Sequence, residues 1–311
     1  MAAVPNRSGR ETPMSTPATD AAAGASAPRT PASAHPTTVP ATRRGFLDRP
    51  GCRLYYEVAG TGPALLFAHG LGSNHLTWWQ QVPHFAGRYT CVTFAHRGYP
   101  PGSLLPGGPD PQDFPGDLAA LIAHLQLADV RLVAQSMGGW SCLEYALTSP
   151  HHVRALVLAS TCGTIQQPSV PVAEPSRLAL WTQQAAATRA DLQRRGIAPP
   201  AGERMAREQP ALHFLYRAIA NASDAVDREA LRQRLGAVAT RPPAVLRDLA
   251  VPTLFLTGAD DIIYPPFLSD ALAPLLPHAT VEQVKDVGHS VYFERAAVFN
   301  RLVDRFLGAV R

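Results

Sequence analysis

The sequence predicts an α/β fold in which a mostly parallel central sheet is covered by helices on both faces and interrupted once by an inserted helical cap. Three observations predict it. Short, continuously apolar runs alternate with helix-length spacers, and strands joined by such spacers pair in parallel and are buried on both sides. One of those runs, Val130-Arg131-Leu132-Val133-Ala134-Gln135, passes through a serine set between small residues directly into a helical pattern. The alternation stops between residues 164 and 247, where Pro-interrupted, helix-leaning segments around Trp181, Met205, Phe214 and Leu231 replace it, and resumes at Pro252.

Taken in order, residues 1–44 are rich in Ala, Pro, Ser and Thr without hydrophobic periodicity, which reads as a disordered tail that cannot bury enough surface to offset its ordering entropy. Thr42-Arg43-Arg44-Gly45-Phe46-Leu47 superficially matches a twin-arginine export signal, but Asp48-Arg49-Pro50-Gly51 follows where an apolar stretch is required. Arg53 to Ala59 alternates like an edge strand, and Gly60-Thr61-Gly62-Pro63 turns the chain into the buried run Ala64-Leu65-Leu66-Phe67-Ala68. A helix carrying Trp78 and Trp79 comes next, then the strand Thr90 to Ala95, a helix near 115–127, the serine-bearing strand with its helix, and Ala155 to Ala159. After the insertion come a strand near 253–258, a helix through Leu276, a short strand near 280–284 and a closing helix to about Leu307. The organisation expected is therefore a tail at 1–44, a core made of 45–163 and 248–311, and a cap at 164–247.

Composition narrows the function. With 311 residues, 46% hydrophobic and 17% charged, the chain can bury a full core. The net charge of +4 is spread over scattered arginines, without a basic run that would track a phosphate backbone, so no nucleic-acid partner is expected. No apolar run approaches the ~20 residues that span a bilayer, so no membrane partner is expected either. Cys52, Cys91, Cys142 and Cys162 lack C-x-x-C spacing and sit in apolar contexts, which reads as buried free thiols in a reducing, cytoplasmic compartment. No His-x-x-x-His or comparable ligand cluster is present, so neither metal nor cofactor is expected. Oligomeric state is not legible.

Ala134-Gln135-Ser136-Met137-Gly138 reads as a nucleophile elbow, small-x-Ser-x-Gly, with alanine in place of the usual first glycine. The turn lifts the hydroxyl clear of the sheet, and small residues two before and two after it let strand and helix approach. A serine hydroxyl is a weak nucleophile on its own and requires a base and a group that orients the base.

With these residues in place, the chain from about 45 to 311 resembles the α/β-hydrolase fold superfamily, in particular its small capped esterase-, lactonase- and C–C-hydrolase-like members. The resemblance rests on His69-Gly70-Leu71-Gly72 after an early buried strand, Arg97-Gly98 after the next, the elbow at Ser136, Gly258-Ala259-Asp260-Asp261 after a late strand, and Gly288-His289 near the end. Serine, acid and histidine occur in the order this fold uses. The resemblance implies Ser136 as nucleophile, His289 as general base and acid, and Asp261, with Asp260 as the alternate, as the residue that orients the imidazole. It assigns the oxyanion donors to the backbone N–H groups of Leu71 and Met137. His69 and His96 are expected to be structural. Trp181 in the cap and Cys162 at a strand end are candidates to line a substrate pocket. Ala95 stands where relatives commonly carry Asp, and Tyr99-Pro100-Pro101-Gly102-Ser103 departs from the family's loop.

The expectation is a serine hydrolase that cleaves a small, largely apolar ester, lactone or related carbonyl compound through an acyl-enzyme on Ser136. The alternatives are hydrolysis of a carbon–carbon bond in a β-diketone-like substrate, a non-hydrolytic ligand-binding protein, or an isomerase or cyclase on the same fold. Epoxide hydrolases and haloalkane dehalogenases of this layout carry Asp at the position of Ser136.

Overall fold

The structure, a computed structural model, describes residues 41–310. Eight strands form one sheet in the order β1-β2-β4-β3-β5-β6-β7-β8. They are β1 (Thr42–Arg49), β2 (Cys52–Ala59), β3 (Ala64–Ala68), β4 (Thr90–Phe94), β5 (Val130–Gln135), β6 (Val153–Ala159), β7 (Thr253–Gly258) and β8 (Ala279–Val284). The first two pairings, β1 with β2 and β2 with β4, are antiparallel, and the rest are parallel.

Strand β1 was not expected. Most of the segment read as tail, residues 1–40, lies outside the described residues, but Thr42, Arg43 and Arg44 pair with Ala59, Val58 and Glu57. The strand hid because only Phe46 and Leu47 among its eight residues are large and apolar, and its side chains are exposed or half-buried throughout. Charged side chains on an edge strand discourage pairing with another sheet edge. Strand β2, whose residues Arg53 to Ala59 alternate like an edge strand, is consequently one place in from the edge.

The helices are α1 (Val82–Phe85), α2 (Phe114–His124), α3 (Gly138–Thr148), α4 (Pro175–Arg194), α5 (Gly202–Glu208), α6 (Pro210–Asn221), α7 (Arg228–Val238), α8 (Phe267–Leu272), α9 (Val291–Glu294) and α10 (Ala296–Ala309). Alternate residues of each central strand feed two apolar clusters, as a period of two requires. Leu66, Leu132, Ala134, Leu158 and Phe255 pack with residues of α2, α3 and α8, whereas Leu65, Phe67, Val133, Val157 and Leu254 pack with residues of α1, α9 and α10. The helix expected at Trp78 and Trp79 is instead a 3-10 turn, His75–Trp78, followed by α1, which has Pro83 in its first turn. Trp78 is fully buried against Phe67, Tyr292 and Phe299.

Helices α4 to α7 make up the insertion between β6 and β7 and belong to the same compact unit as the sheet. Polar contacts tie them down at several points. Asn74 Nδ2 donates to Ile219 O at 2.9 Å and to Ser223 Oγ at 3.2 Å, Trp140 Nε1 to Leu235 O at 3.1 Å, Arg189 Nη1 to Ile262 O at 2.6 Å, and Ser290 Oγ to Pro200 O at 2.8 Å.

Candidate active site

Every motif singled out in the sequence lies at the carboxyl end of a strand, where ligands bind in open α/β sheets. Ser136 follows β5, Asp261 follows β7 and His289 follows β8, and these strands lie side by side with β6 between the first two. Ser136 adopts φ 50°, the left-handed region that L-residues avoid, at a cost of about 1–2 kcal/mol. Its N–H donates to Ala159 O at 3.0 Å and its C=O accepts from Gly139 N at 2.9 Å, so strand and helix hold the turn from both sides. The side chain is half-buried while Ala134, Gln135, Met137 and Gly138 are buried. The spacing around the elbow follows from close approach. A Cβ on Gly138 would lie 2.3 Å from the Ala68 carbonyl oxygen, and one on Gly70 would lie 2.1 Å from Gln135 Oε1. Ala134 is tolerated because it is a strand residue packed at zero exposure opposite Ala68 and Leu158.

His289 and Asp261 form a buried pair. His289 Nδ1 donates to Asp261 Oδ2 at 2.8 Å. The other carboxylate oxygen, Oδ1, accepts from the N–H groups of Ile263 at 2.7 Å and Tyr264 at 2.9 Å. The carboxylate is thereby fixed in rotation, and the imidazole is left with Nε2 for proton exchange. The neighbouring acid behaves differently. Asp260 is exposed and accepts from Arg204 Nη2 of α5 at 2.7 Å, and Asp286, close to His289 in sequence, lies 3.7 Å from the same guanidinium.

The loop after β3 brings Leu71 toward the elbow, and two side chains brace it. His69 Nδ1 lies 2.9 Å from Gly70 O and His69 Nε2 accepts from His96 N at 3.1 Å. A carbonyl only accepts and an amide N–H only donates, so the ring is the neutral Nδ1–H tautomer. Complete burial pushes this imidazole down to about 3. The bond to Gly70 O fixes the peptide plane that also carries the Leu71 N–H. His96 Nε2 lies 2.8 Å from Ser141 Oγ, and both histidines are structural in this geometry. Tyr99 hydroxyl donates to Leu71 O at 2.9 Å and lies 3.6 Å from Met137 Sδ, bridging these two residues. Tyr99 carried no role in the sequence reading, where the loop appeared only as altered; its place directly after Arg97-Gly98 was the available signal. Arg97 holds the start of that loop through two bonds to Asp117 of α2, Nε to Oδ2 at 2.6 Å and Nη2 to Oδ1 at 2.7 Å. Met137 sits immediately before α3, whose first N–H groups have no intrahelical acceptor.

Leu71, Tyr99, Met137 and Trp140 form one apolar cluster with Val226, Leu231 and Leu235 of the insertion, so α7 and the corner before it pack over Leu71 and Met137. Of the two pocket candidates, Cys162 belongs to the cluster on the α2, α3 and α8 face, and Trp181 packs against it. Cys162 is buried, its thiol pushed up to about 12 by burial, and contacts Ile165 O at 3.8 Å. Trp181 lines a groove of about 390 Å³ with Arg177, Gln184, Ala259, Phe267, Asp270 and Gln283. All four cysteines are free and buried. Among the described residues no group of three or more His, Cys, Asp or Glu is placed to hold a metal ion.

The sequence profile of the alpha/beta hydrolase fold matches residues 63–296. The chain belongs to the α/β-hydrolase fold family. Among curated relatives of this α/β-hydrolase, BpoC of Mycobacterium tuberculosis, named provisionally as a non-heme bromoperoxidase, is 31% identical over 276 residues, covering 83% of this chain and 98% of that protein. The 3-oxoadipate enol-lactonase 2 of Acinetobacter baylyi is 27% identical over 253 residues, covering 78% and 87%. A hydrolase from Pseudomonas aeruginosa shares the fold with a TM-score of 0.69 at 22% identity, over 86% of this chain and 98% of its own. Among the described residues no helix is long and apolar enough to cross a membrane.

Proposed function

We propose that this α/β-hydrolase is a serine hydrolase of small ester, lactone or related carbonyl substrates, working through an acyl-enzyme on Ser136. The observation that carries this reading is the buried His289 Nδ1 to Asp261 Oδ2 bond of 2.8 Å at the same carboxyl end of the parallel strands as a serine held at φ 50°. In the reaction proposed, Ser136 Oγ attacks the carbonyl carbon and its proton passes to His289 Nε2. The imidazolium is stabilised by Asp261, and the oxyanion accepts from the N–H groups of Leu71 and Met137. Collapse expels the alcohol, which leaves with the proton from His289. Water then attacks the acyl group by the same path, releasing the carboxylic acid and the free serine.

The enol-lactonase relative, whose name describes a cyclic ester as substrate, favours the ester and lactone class over carbon–carbon cleavage. The four buried, unpaired thiols support a reducing compartment, the cytoplasm, as the place of action. The deciding experiment is intact-protein mass after treatment with a fluorophosphonate, because rapid phosphonylation requires a base-activated serine beside oxyanion donors. One adduct in the wild type and none in Ser136→Ala is the expected result. A folded wild type that takes up no adduct, or an adduct that persists in Ser136→Ala, overturns the proposal.

A further inference from the structure

Residues 104–109, in the loop between β4 and α2, are tied to the insertion by one side chain. Gly107 and Gly108 adopt φ 78° and 81°, a left-handed turn that glycine enters without strain and in which successive carbonyls point the same way. Arg234 of α7 takes up three of these carbonyls. Its Nη2 donates to Gly107 O at 2.6 Å, and its Nη1 donates to Gly108 O at 3.2 Å and to Pro109 O at 3.1 Å. Among the described residues, the segment's other hydrogen bond, Gly108 N to Leu105 O at 2.9 Å, is internal. Apolar packing does not replace the guanidinium. A cavity of about 280 Å³ lies between the segment and α7, walled by Leu104, Leu105, Val226, Ala230 and Leu231, and such a gap forfeits the contacts that would hold its walls together.

The far end of the segment leads to the site. The Pro109 ring lies against Gly98, where a Cβ would come 3.1 Å from the ring Cδ. Gly98 runs directly into Tyr99, whose hydroxyl donates to Leu71 O at 2.9 Å and lies 3.6 Å from Met137 Sδ. Two walls of the cavity, Val226 and Leu231, share an apolar cluster with Tyr99, Leu71 and Met137. An unbroken series of contacts therefore runs from Arg234 through Pro109, Gly98 and Tyr99 to the two residues whose N–H groups are the proposed oxyanion donors.

We propose that Arg234 is a positioning residue for the reaction, closing residues 104–109 onto α7 so that Tyr99 stays seated against Leu71 and Met137. This rests on the serine-hydrolase reading and makes the placement of its oxyanion donors depend on the insertion. Such donors act only if they already point to where charge develops, so small displacements of Leu71 or Met137 slow the reaction. A guanidinium suits the task because its planar fork holds several N–H groups in fixed directions.

The test is the rate at which an alkyl fluorophosphonate phosphonylates Ser136 in the full chain, read by intact-protein mass. The phosphonyl oxygen takes the place of the oxyanion, so no substrate need be known. Arg234 is exposed, and Arg234→Ala is expected to fold and to label about three- to tenfold more slowly at saturating probe, the effect of one ordinary hydrogen bond, with the half-saturating concentration unchanged. Arg232→Ala, on the same helix and paired with Glu229, should label like the wild type. Because Arg234 acts through Tyr99, the double variant with Tyr99→Phe should label no more slowly than Tyr99→Phe alone, whereas independent residues would multiply their effects. A rate unchanged in Arg234→Ala, or effects that multiply in the double variant, overturns the proposal. Should Tyr99→Phe fail to fold, the rate of Arg234→Ala alone decides. A folded wild type that takes no adduct refutes the serine-hydrolase reading, and urea unfolding of the same four chains then decides the clamp. A double variant as stable as Tyr99→Phe supports it, and midpoint shifts that add overturn it.

Discussion

Asp261→Asn tests the reading most sharply, because the surroundings of that carboxylate dictate how an amide must sit. Oδ1 accepts from two backbone N–H groups, Ile263 at 2.7 Å and Tyr264 at 2.9 Å, and Oδ2 accepts from His289 Nδ1 at 2.8 Å. An asparagine can keep the first two bonds only by placing its oxygen there, which turns Nδ2 toward His289. The flipped orientation sets an NH₂ against two N–H donors and loses two bonds, about 1–3 kcal/mol each. With Nδ2 facing it, Nδ1 must become the acceptor, and the proton moves to Nε2, the nitrogen that has to take the serine proton. The geometry stays and the tautomer is wrong, which predicts a fall in kcat of about 10⁴-fold. The assay is kcat and kcat/KM on the best ester found, with the rate of fluorophosphonate labelling as an independent readout of nucleophile activation. Asp260→Asn is the partner experiment. That carboxylate is exposed and its pair with Arg204 is screened by solvent, so its loss should change kcat less than threefold. Activity of Asp261→Asn within tenfold of wild type, or a larger loss in Asp260→Asn, would refute the assignment of the acid.

Tyr99→Phe removes the donor to Leu71 O and leaves that carbonyl unpaired, so a stability loss of about 1–3 kcal/mol is expected by urea unfolding, with kcat reduced more than KM is raised. Gly138→Ala puts a methyl group 2.3 Å from the Ala68 carbonyl oxygen and should cost about 3 kcal/mol, visible as a Tm lowered by about 6–12 °C; an unchanged Tm would contradict the close approach. His69 is held at about 3 in the fold, below its ordinary 6.5, so the unfolded chain takes up a proton below pH 6.5 that the folded chain refuses. Stability is therefore full above pH 6.5 and falls as pH drops toward 3, by about 2–3 kcal/mol between 6.5 and 4.5, with buried His96 adding in the same sense and the raised carboxyl of Glu294 in the opposite one. Urea midpoints at pH 7 and pH 4.5 that coincide would show that His69 is not held neutral by burial.

What could be read from the residues and what could not divide along physical lines. Buried parallel strands are apolar on both faces, so β3 to β7 stand out as continuous runs, and the carboxyl ends of β5 and β7 mark where Ser136 and Asp261 lie, whereas His289 follows the half-exposed edge strand β8. Strand β1 did not stand out, because an edge strand with exposed side chains needs no apolar face, and Thr42 to Arg49 reads as polar coil until the pairing with β2 is known. Sequence periodicity likewise says that α4 is a helix without saying which cluster its partly buried side chains join. Trp181 packs against the cluster on the α2, α3 and α8 face, while Leu71 and Met137 share a cluster with Val226, Leu231 and Leu235.

The choice between Asp260 and Asp261 shows what the three-dimensional arrangement adds. Adjacent residues leaving a strand point to opposite sides, so one aspartate must face inward and the other outward. The motif pattern favoured Asp261 without excluding its neighbour. In the fold the inward position is the one with two backbone N–H groups waiting for a carboxylate, and the outward position meets Arg204 arriving from the cap. The second aspartate is thus a tether for the cap, and Arg204 also lies 3.7 Å from Asp286, on the loop that leads to His289. One half-buried side chain therefore joins the insertion to both loops, the one after β7 that carries Asp261 and the one after β8 that carries His289. The two carboxylates it pairs with are exposed and screened by salt, so these contacts add little to stability.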